Sequence, residues 1–187
     1  MIFRRTRDVP TFQDYLDYRP FLRRDFEYRC AYCLRHEFFF GGGEAGEVDH
    51  HRPLRLYPEL RNEYGNLYWS CRRCNAIKSG KWPSAHQLAQ GFRFVDPCAE
   101  DHEDHWQTHS DGLLTPLTAP GRYTIRHIQL DRPVLTEFRR FLSRLQEQVR
   151  KIEAELQNAN LSLDIRESLL HDLRSVTGLI APPVFSL

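Results

Sequence analysis

Two short cysteine motifs, CAYC at residues 30–33 and CRRC at residues 71–74, decide the fold of this chain. Each motif brings two thiolates within reach of one tetrahedral ion. The opening MIFRRTRDVP lacks the apolar core of a secretory signal, so a disulfide framework is not expected. A pair of redox motifs is the alternative, but the βαβ surroundings of such motifs are missing from the pattern. The spacing therefore predicts one structural Zn²⁺ site with four ligands: Cys30, Cys33, Cys71 and Cys74.

The composition is that of a globular protein. Of the 187 residues, 41% are hydrophobic and 27% are charged, which excludes the disordered and fibrous classes. No stretch approaches the roughly 18 apolar residues of a membrane span, so we expect a cytoplasmic protein with no membrane partner. Residues 1–82 carry 15 Lys/Arg against 11 Asp/Glu, whereas residues 95–111 carry six carboxylates and no Lys or Arg. The first segment could face a polyanion, and the second could not.

Between the two cysteine motifs, the sequence predicts a β-hairpin. Residues 36–40 have an aromatic, strand-like pattern, the glycines at 41–43 form a turn, and residues 47–50 pair back as a second strand. A proline-containing loop follows over residues 52–65. The second cysteine motif then begins a short helix, with Ser70 as its expected N-cap.

The flanking segments also have recognisable patterns. Thr11 is the expected N-cap of a short helix that Pro20 interrupts. The alternation in residues 123–128 predicts a strand. Beyond Pro133, apolar residues recur at alternating intervals of four and three, which is typical of a heptad seam. A break at residues 158–160 precedes a second apolar stripe, so the sequence predicts an αα-hairpin. The seam residues are Phe138, Leu142, Leu145, Val149, Ile152 and Leu156.

These patterns divide the chain into four segments. We expect a helical lead-in over residues 1–23, a core with the zinc site over residues 24–83, a mixed extension over residues 84–132 and the helical hairpin over residues 133–187. The core carries the chemistry, because the conspicuous polar residues lie between the cysteine motifs.

Taken in order, the motifs CAYC, VDHHRPL, YGNLYWSC and CRRCNAIKSGK resemble the zinc-knuckle branch of the HNH endonuclease family. The resemblance covers residues 24–83 and implies an α+β fold, in which a ββα-metal core with a structural zinc knuckle is joined to the C-terminal αα-hairpin. It implies a divalent-metal-dependent endonuclease that hydrolyses DNA and leaves 5′-phosphate and 3′-hydroxyl ends. Asn75 stands at the third signature position instead of His, which makes the chain an HNN variant.

The resemblance also implies a role for each signature residue. His50 is the expected general base, Asn66 supports the loop behind it, and Asp49 and Asn75 are the expected ligands of Mg²⁺ or Mn²⁺. The residue types suit these roles, because an imidazole accepts a proton at neutral pH and carboxylate and amide oxygens are hard ligands. His51 is the alternative general base, and a capping role is the alternative for Asn75.

Basic residues around the site are expected to contact backbone phosphates without reading sequence. They are Arg52, Arg72, Lys78 and Lys81. A solvated side chain is the alternative for Lys78, which lies one helical turn beyond Asn75. DNA is the expected nucleic acid, and RNA is left open. Cys98 could bind a second metal ion with His102 and His105, although an isolated thiol is favoured.

The tail indicates a protein partner. The segment GRYTI at residues 121–125, followed by the helical seam, looks like part of small bacterial HNH proteins of anti-phage systems. That resemblance implies an ATPase subunit as partner, and self-association through the C-terminal helices is the alternative. Two other functions stay open: a non-catalytic zinc-knuckle module that binds nucleic acid or protein, and a nuclease subunit that is active only with its partner.

Overall fold

A computed structural model, which describes residues 1–158 and 160–180, confirms the predicted α+β class and the order of strand, strand and helix in the core. The strands are β1 (Gly46–His50), β2 (Leu67–Cys71), β3 (Trp106–Thr108) and β4 (Leu114–Pro116). The helices are α1 (Arg19–Asp25), α2 (Arg72–Lys78), α3 (Ala85–Ala89), α4 (Ala119–Ile128), α5 (Pro133–Leu156) and α6 (Leu163–Ile180). Within the described ranges, no helix combines the length and the apolar character that crossing a membrane requires.

The chain forms two compact units. The first contains residues 1–108 and 114–132, and the second contains residues 109–113 and the chain from Pro133 onward. The four segment boundaries expected from sequence remain predictions. Residues 159 and 181–187 of the expected hairpin segment lie outside the described residues.

The first unit is built around β1 and β2, which pair antiparallel with Asp49 opposite Tyr68 and His50 opposite Leu67. Because strand side chains alternate between faces, Asp49 and Tyr68 share one face of the sheet and His50 lies on the other. Every residue of β2 is buried. Cys71 ends β2 and also caps α2, since its Sγ accepts a hydrogen bond from the backbone N–H of Cys74. The strand therefore enters the helix without an intervening loop.

The predicted hairpin partner of β1 was wrong. Residues 37–40 form a 3-10 turn, capped by the His36 ring, which accepts a hydrogen bond from the backbone N–H of Phe38. The partner is β2, from beyond the loop. A five-residue aromatic run has no period that separates a strand from a turn. Ser70 was also wrong as the N-cap of α2, because its hydroxyl is buried beside the Cys30 thiol and Cys71 takes the capping position.

Two predictions in the flanking segments were wrong, each for its own reason. Asp14, and not Thr11, caps a 3-10 turn at Tyr15–Tyr18, and Pro20 lies in the first turn of α1 instead of interrupting a helix. In the first turn of a helix the backbone N–H has no partner within the helix, so a proline there loses no hydrogen bond.

Residues 123–128, predicted as a strand, belong to α4, where Thr118 caps the helix by accepting a hydrogen bond from the backbone N–H of Gly121. Short apolar alternation fits one face of a helix as well as a strand.

The second unit contains the predicted αα-hairpin, in which α5 packs against α6. This packing confirms the predicted helix pair. Leu145 is the seam residue that becomes buried, at 7% exposed, and the other five stay half-buried. The shorter α6 therefore covers the seam only in part.

We expect Gly46→Ala to destabilise the first unit by about 1–3 kcal/mol, because overpacking a rigid core has costs of that size. A β-carbon at Gly46 would lie 1.9 Å from the ring of Trp69, which is fully buried. Urea unfolding measures the loss. Gly65→Ala is the matched control, since a β-carbon there meets no atom within 4 Å. Equal stability of the two variants would contradict the packing described here.

Candidate functional site

The two cysteine motifs converge on one point of the first unit. The Sγ atoms of Cys30, Cys33, Cys71 and Cys74 all lie within 4.8 Å of one another. Cys33 and Cys71 have a sulfur–sulfur distance of 3.9 Å. A tetrahedral ion with zinc–sulfur bonds of about 2.3 Å sets sulfur–sulfur distances of roughly 3.8 Å. The cluster therefore fits a zinc site, and four thiolates leave no ligand position for water.

Backbone and side-chain hydrogen bonds hold this cluster in place. The N–H of Ala31 donates to the carbonyl oxygen of Trp69 at 2.8 Å, which ties the first motif to β2. The guanidinium of Arg132 donates to the Sγ of Cys74 at 3.2 Å. Such a donor offsets part of the negative charge that four thiolates would leave around a divalent ion.

His50 lies at the end of β1 with its ring half exposed. Its Nε2 is 2.9 Å from the carbonyl oxygen of Arg61, and its ring lies 4.8 Å from that of Tyr15. A carbonyl oxygen can only accept, so Nε2 carries the hydrogen in this contact. In the neutral ring, Nδ1 then holds the free lone pair, and this nitrogen is the one that can accept a proton.

Asn66 is buried at the end of the loop behind His50. Its side-chain oxygen accepts from the backbone N–H of Arg52 at 2.8 Å, and its side-chain nitrogen donates to the carbonyl oxygen of the same residue at 3.1 Å. Its own carbonyl oxygen accepts from the N–H of His51 at 2.8 Å. These bonds close the loop at its base, and the closed loop carries the Arg61 carbonyl that orients His50.

His51, the alternative base, faces away from this site. Its ring stacks on Tyr68 at 4.6 Å and meets Trp82 edge-on at 5.6 Å. Burial lowers the pKa of His51 to about 3. His51 does not line the cavity that Asp49, His50 and Asn75 share, so the geometry favours His50 over His51.

Asp49 is buried and forms an ion pair with Lys78, with 2.9 Å between Nζ and Oδ2. The hydroxyl of Tyr32 donates to the same carboxylate. Burial raises the pKa of Asp49, and the neighbouring ammonium opposes that rise. Lys78 itself is 0% exposed, and it also donates to the carbonyl oxygen of His50 at 2.6 Å. The ammonium therefore points inward, which corrects the expectation that Lys78 is solvated or contacts a phosphate.

Asn75 is oriented by a carboxylate that the sequence analysis missed. Its side-chain nitrogen donates to Glu47 at 2.7 Å, across from α2 to β1, and does not cap its own helix. This bond occupies the nitrogen and reserves the side-chain oxygen as a ligand atom. Glu47 is two residues before Asp49, so strand alternation places both carboxylates on the face that α2 covers. That spacing was the signal that could have identified Glu47.

One cavity of about 300 Å³ brings the signature residues together, since Asp49, His50 and Asn75 all line it. Asn66 lies behind it and supports the loop. The oxygen donors of Asp49 and Asn75 fit a hard divalent cation that keeps several of its waters, as Mg²⁺ does. The Lys78 ammonium already balances the Asp49 charge, so the donor set attracts such an ion less strongly than an unpaired carboxylate would.

The other three basic residues predicted to contact phosphates lie at the surface of the first unit and make different contacts. The side chain of Arg72 is 70% exposed and pairs with Glu47 at 3.1 Å. The exposed Lys81 donates to the carbonyl oxygen of His127 at 3.2 Å. The guanidinium of Arg52 lies 5.6 Å from the ring centre of Tyr57. All three residues are exposed to solvent, unlike Lys78.

Cys98, His102 and His105 do not come together as a second metal site. Within residues 1–158 and 160–180, the four-cysteine cluster is the one group of three or more His, Cys, Asp or Glu side chains placed to share an ion. His102 packs on Trp106 at 5.1 Å, and His105 contacts Glu100 at 3.0 Å. Burial raises the pKa of the Cys98 thiol to about 11, which keeps it protonated.

We expect Cys71→Ser to give poorly soluble protein that lacks zinc, because the binding energy of such a site, about 10–16 kcal/mol in apparent terms, is folding energy. Elemental analysis and the yield of soluble protein measure this. Cys98→Ser is the matched control, and it should keep both zinc and solubility. Folded wild-type protein without zinc, under reducing conditions, would contradict the assignment.

Comparison with known proteins agrees with this geometry. A family model described as HNH endonuclease matches residues 30–81. Septu protein PtuA of Bacillus mycoides (strain KBAB4) is 24% identical over 139 residues, which cover 64% of this chain and 20% of that protein. The chain thus spans about a fifth of the length of that relative. The matched segment contains the four cysteines and the residues Asp49, His50, Asn66 and Asn75, and residues 30–81 are therefore a domain of the HNH endonuclease family.

Proposed function

We propose that this chain is a divalent-metal-dependent endonuclease that hydrolyses phosphodiester bonds of DNA. The observation that carries the proposal is the contact between His50 Nε2 and the Arg61 carbonyl oxygen. It leaves Nδ1 as the basic nitrogen of a residue that lines one cavity with Asp49 and Asn75. The HNH family match over residues 30–81 supports the same reaction class.

In this reaction, His50 acts as the general base. Nδ1 takes a proton from the water that attacks phosphorus, while the Nε2–H bond to Arg61 holds the ring and stabilises the charge that it gains. The bond to the 3′-oxygen breaks, and the departing 3′-oxyanion takes a proton from solvent water, which leaves a 5′-phosphate and a 3′-hydroxyl. Asn66 acts indirectly, because it closes the loop that positions the carbonyl.

Asp49 and Asn75 would hold Mg²⁺ or Mn²⁺, and Glu47 would keep the Asn75 oxygen in place. A divalent ion bound there supplies stabilisation for the negative charge that develops on the phosphate and the departing oxygen. Zn²⁺ in the four-cysteine cluster would have a structural role. The exposed Arg52, Arg72 and Lys81 are proposed to contact backbone phosphates, which gives affinity without sequence readout.

A non-catalytic zinc-knuckle module that binds nucleic acid or protein is the competing function. Such a module needs the cluster and the basic surface, but it has no use for a base nitrogen beside two oxygen ligands. The nicking experiment below therefore separates the two functions.

We expect His50→Ala to lower the rate of plasmid nicking in Mg²⁺ or Mn²⁺ by about 10²- to 10⁴-fold, the typical contribution of a general base. The fold and DNA affinity should change little, because the His50 ring is half exposed. His51→Ala is the control for register and should lose less activity. An inactive His51→Ala beside an active His50→Ala would reverse the assignment, and a wild-type chain that binds DNA without cutting it would favour the binding module.

We further propose that the nuclease works with a protein partner in bacterial antiviral defence. The similarity to a Septu protein supports this. The resemblance of the tail to HNH proteins of anti-phage systems also supports it and implies an ATPase subunit as the partner. The hairpin of α5 and α6 offers the docking surface, since its seam is half covered and Phe141 and Ile165 are 42% and 51% exposed.

Light scattering tests this association. We expect the purified full-length chain to show a mass above its own 22.2 kDa, by itself or with a co-purified partner, and a chain ending at Arg132 to lose that association. A strictly monomeric full-length chain whose shortened form is equally active would contradict a docking role.

A further inference from the structure

A second cavity, of about 630 Å³, lies next to the one that contains His50. Cavities of this size hold small organic ligands. Four ring side chains line it: His51, Tyr68, Trp82 and Phe94. The ring centres of Trp82 and Phe94 are 6.2 Å apart, and His51 stacks on Tyr68 and meets Trp82 edge-on at 5.6 Å. Tyr68 and Phe94 are each only 1% exposed, whereas Trp82 is half-buried, so the ring on which a flat ligand can stack is that of Trp82.

The two cavities are separated by a thin ridge of chain. His50 and Pro53 line the first cavity, and His51 and Arg52, which lie between them in the chain, line the second. Gly80 and Trp82 repeat this division on the opposite segment, with Gly80 on the side of His50. A strand that crosses the ridge can therefore have a phosphate in the first cavity and a neighbouring group in the second.

Two polar atoms in the walls lack partners. His51 Nδ1 and Trp82 Nε1 are both shielded from solvent and have no hydrogen-bond partner among the residues that the structure describes. Buried polar atoms in folded proteins are nearly always paired, so these two nitrogens, on residues that line the cavity, are open to a partner from outside the chain. The indole N–H needs an acceptor, which any nucleobase offers.

The charged groups deepest in this cavity already have hydrogen-bond partners. Arg93 forms two hydrogen bonds of 2.5 Å with Glu100, and Asp96 accepts from the Tyr68 hydroxyl at 2.5 Å. At the rim, Arg52 and Glu63 have opposite charges. Such a lining favours an uncharged aromatic heterocycle over a phosphate group.

We propose that this cavity binds one unstacked base of the nucleic-acid strand, beside the phosphate that lies at His50. This inference rests on the proposed nuclease function, and it adds a base-binding site to the signature residues. Because stacking on aromatic rings is open to every base, the site selects strands that can release a base and does not select a sequence.

Equilibrium binding of two fluorescein-labelled octanucleotides tests this inference. One is octadeoxyadenylate, and the other has the same phosphates but eight abasic positions. With the zinc-loaded chain and no added Mg²⁺ or Mn²⁺, we expect the strand with bases to bind about 5- to 100-fold more tightly, the range for stacking of one base. The phosphate contribution cancels in this ratio.

Substitutions at Gly65 locate the effect, because this residue lines the cavity and a β-carbon there meets no atom within 4 Å. Gly65→Phe should fill the cavity and bring the ratio close to one, while Gly65→Ala should keep it. Trp82→Phe, which removes the indole N–H and keeps a ring, should reduce the ratio, and Trp106→Phe outside the cavity should not. Thermal unfolding confirms that each variant is folded.

Three results would overturn the base site: a wild-type ratio near one, a ratio that Gly65→Phe leaves unchanged, and free deoxyadenosine monophosphate binding as tightly as the strand. The last result would assign the cavity to a free nucleotide. Plasmid nicking in Mg²⁺ is measured in a separate assay, because it tests the nuclease and the binding ratio tests the base site. A high ratio without nicking counts against the nuclease alone, and nicking with a ratio near one counts against the base site alone.

Discussion

A lysine ammonium buried between α2 and the end of β1 is the contact on which the candidate site depends. Removing an ammonium from water costs several kcal/mol unless a counter-charge and hydrogen bonds replace the solvent. Here Asp49 supplies the charge, and the carbonyl oxygen of His50 accepts a further bond. Both partners belong to the last residues of β1, so the ammonium fixes α2 over the strand end. Asn75, one helical turn before Lys78, is positioned by the same contact.

The other end of α2 is held by different chemistry. Cys71 and Cys74 place the start of the helix in the four-cysteine cluster, and the first cysteine motif is bonded to β2 through Ala31. The helix is thus fixed at its start by the cluster and at its end by a buried ion pair. Side chains on an element fixed at both ends keep their geometry better than side chains on a free loop.

The sequence was sufficient wherever local spacing determines the structure. The two CxxC motifs predicted the cluster, and the heptad seam predicted α5 and its pairing with α6. It failed where the partner is distant or the run is short. The local sequence at residues 37–40 carries no signal that β1 pairs with β2 instead of with this segment. Six residues of α4 have an alternation that also fits a strand. Lys78 was expected outside because lysine is rarely buried without a partner, and the Asp49 partner lies 29 positions away.

The candidate site shows the same limit. Asp49, His50 and Asn75 could be assigned from motif order, but the carboxylate that orients Asn75 depends on strand alternation. The cavity lined by Trp82 is assembled from the segment after His50, from β2 and from residues 82–100. Contacts among such separated segments follow from the completed fold, and no periodicity in the sequence encodes them.

The bond from His50 to Arg61 uses the backbone of Arg61 and leaves its side chain uninvolved. Any amino acid presents the same carbonyl, so the bond itself does not depend on the Arg61 side chain, whose guanidinium instead lies 5.7 Å from the ring centre of Tyr15. The contact depends on the number of residues between His50 and Asn66, because an insertion or deletion in this loop would move the Arg61 carbonyl away from the His50 ring. Related chains that keep this geometry can therefore diverge in the letters of this loop while they conserve its length.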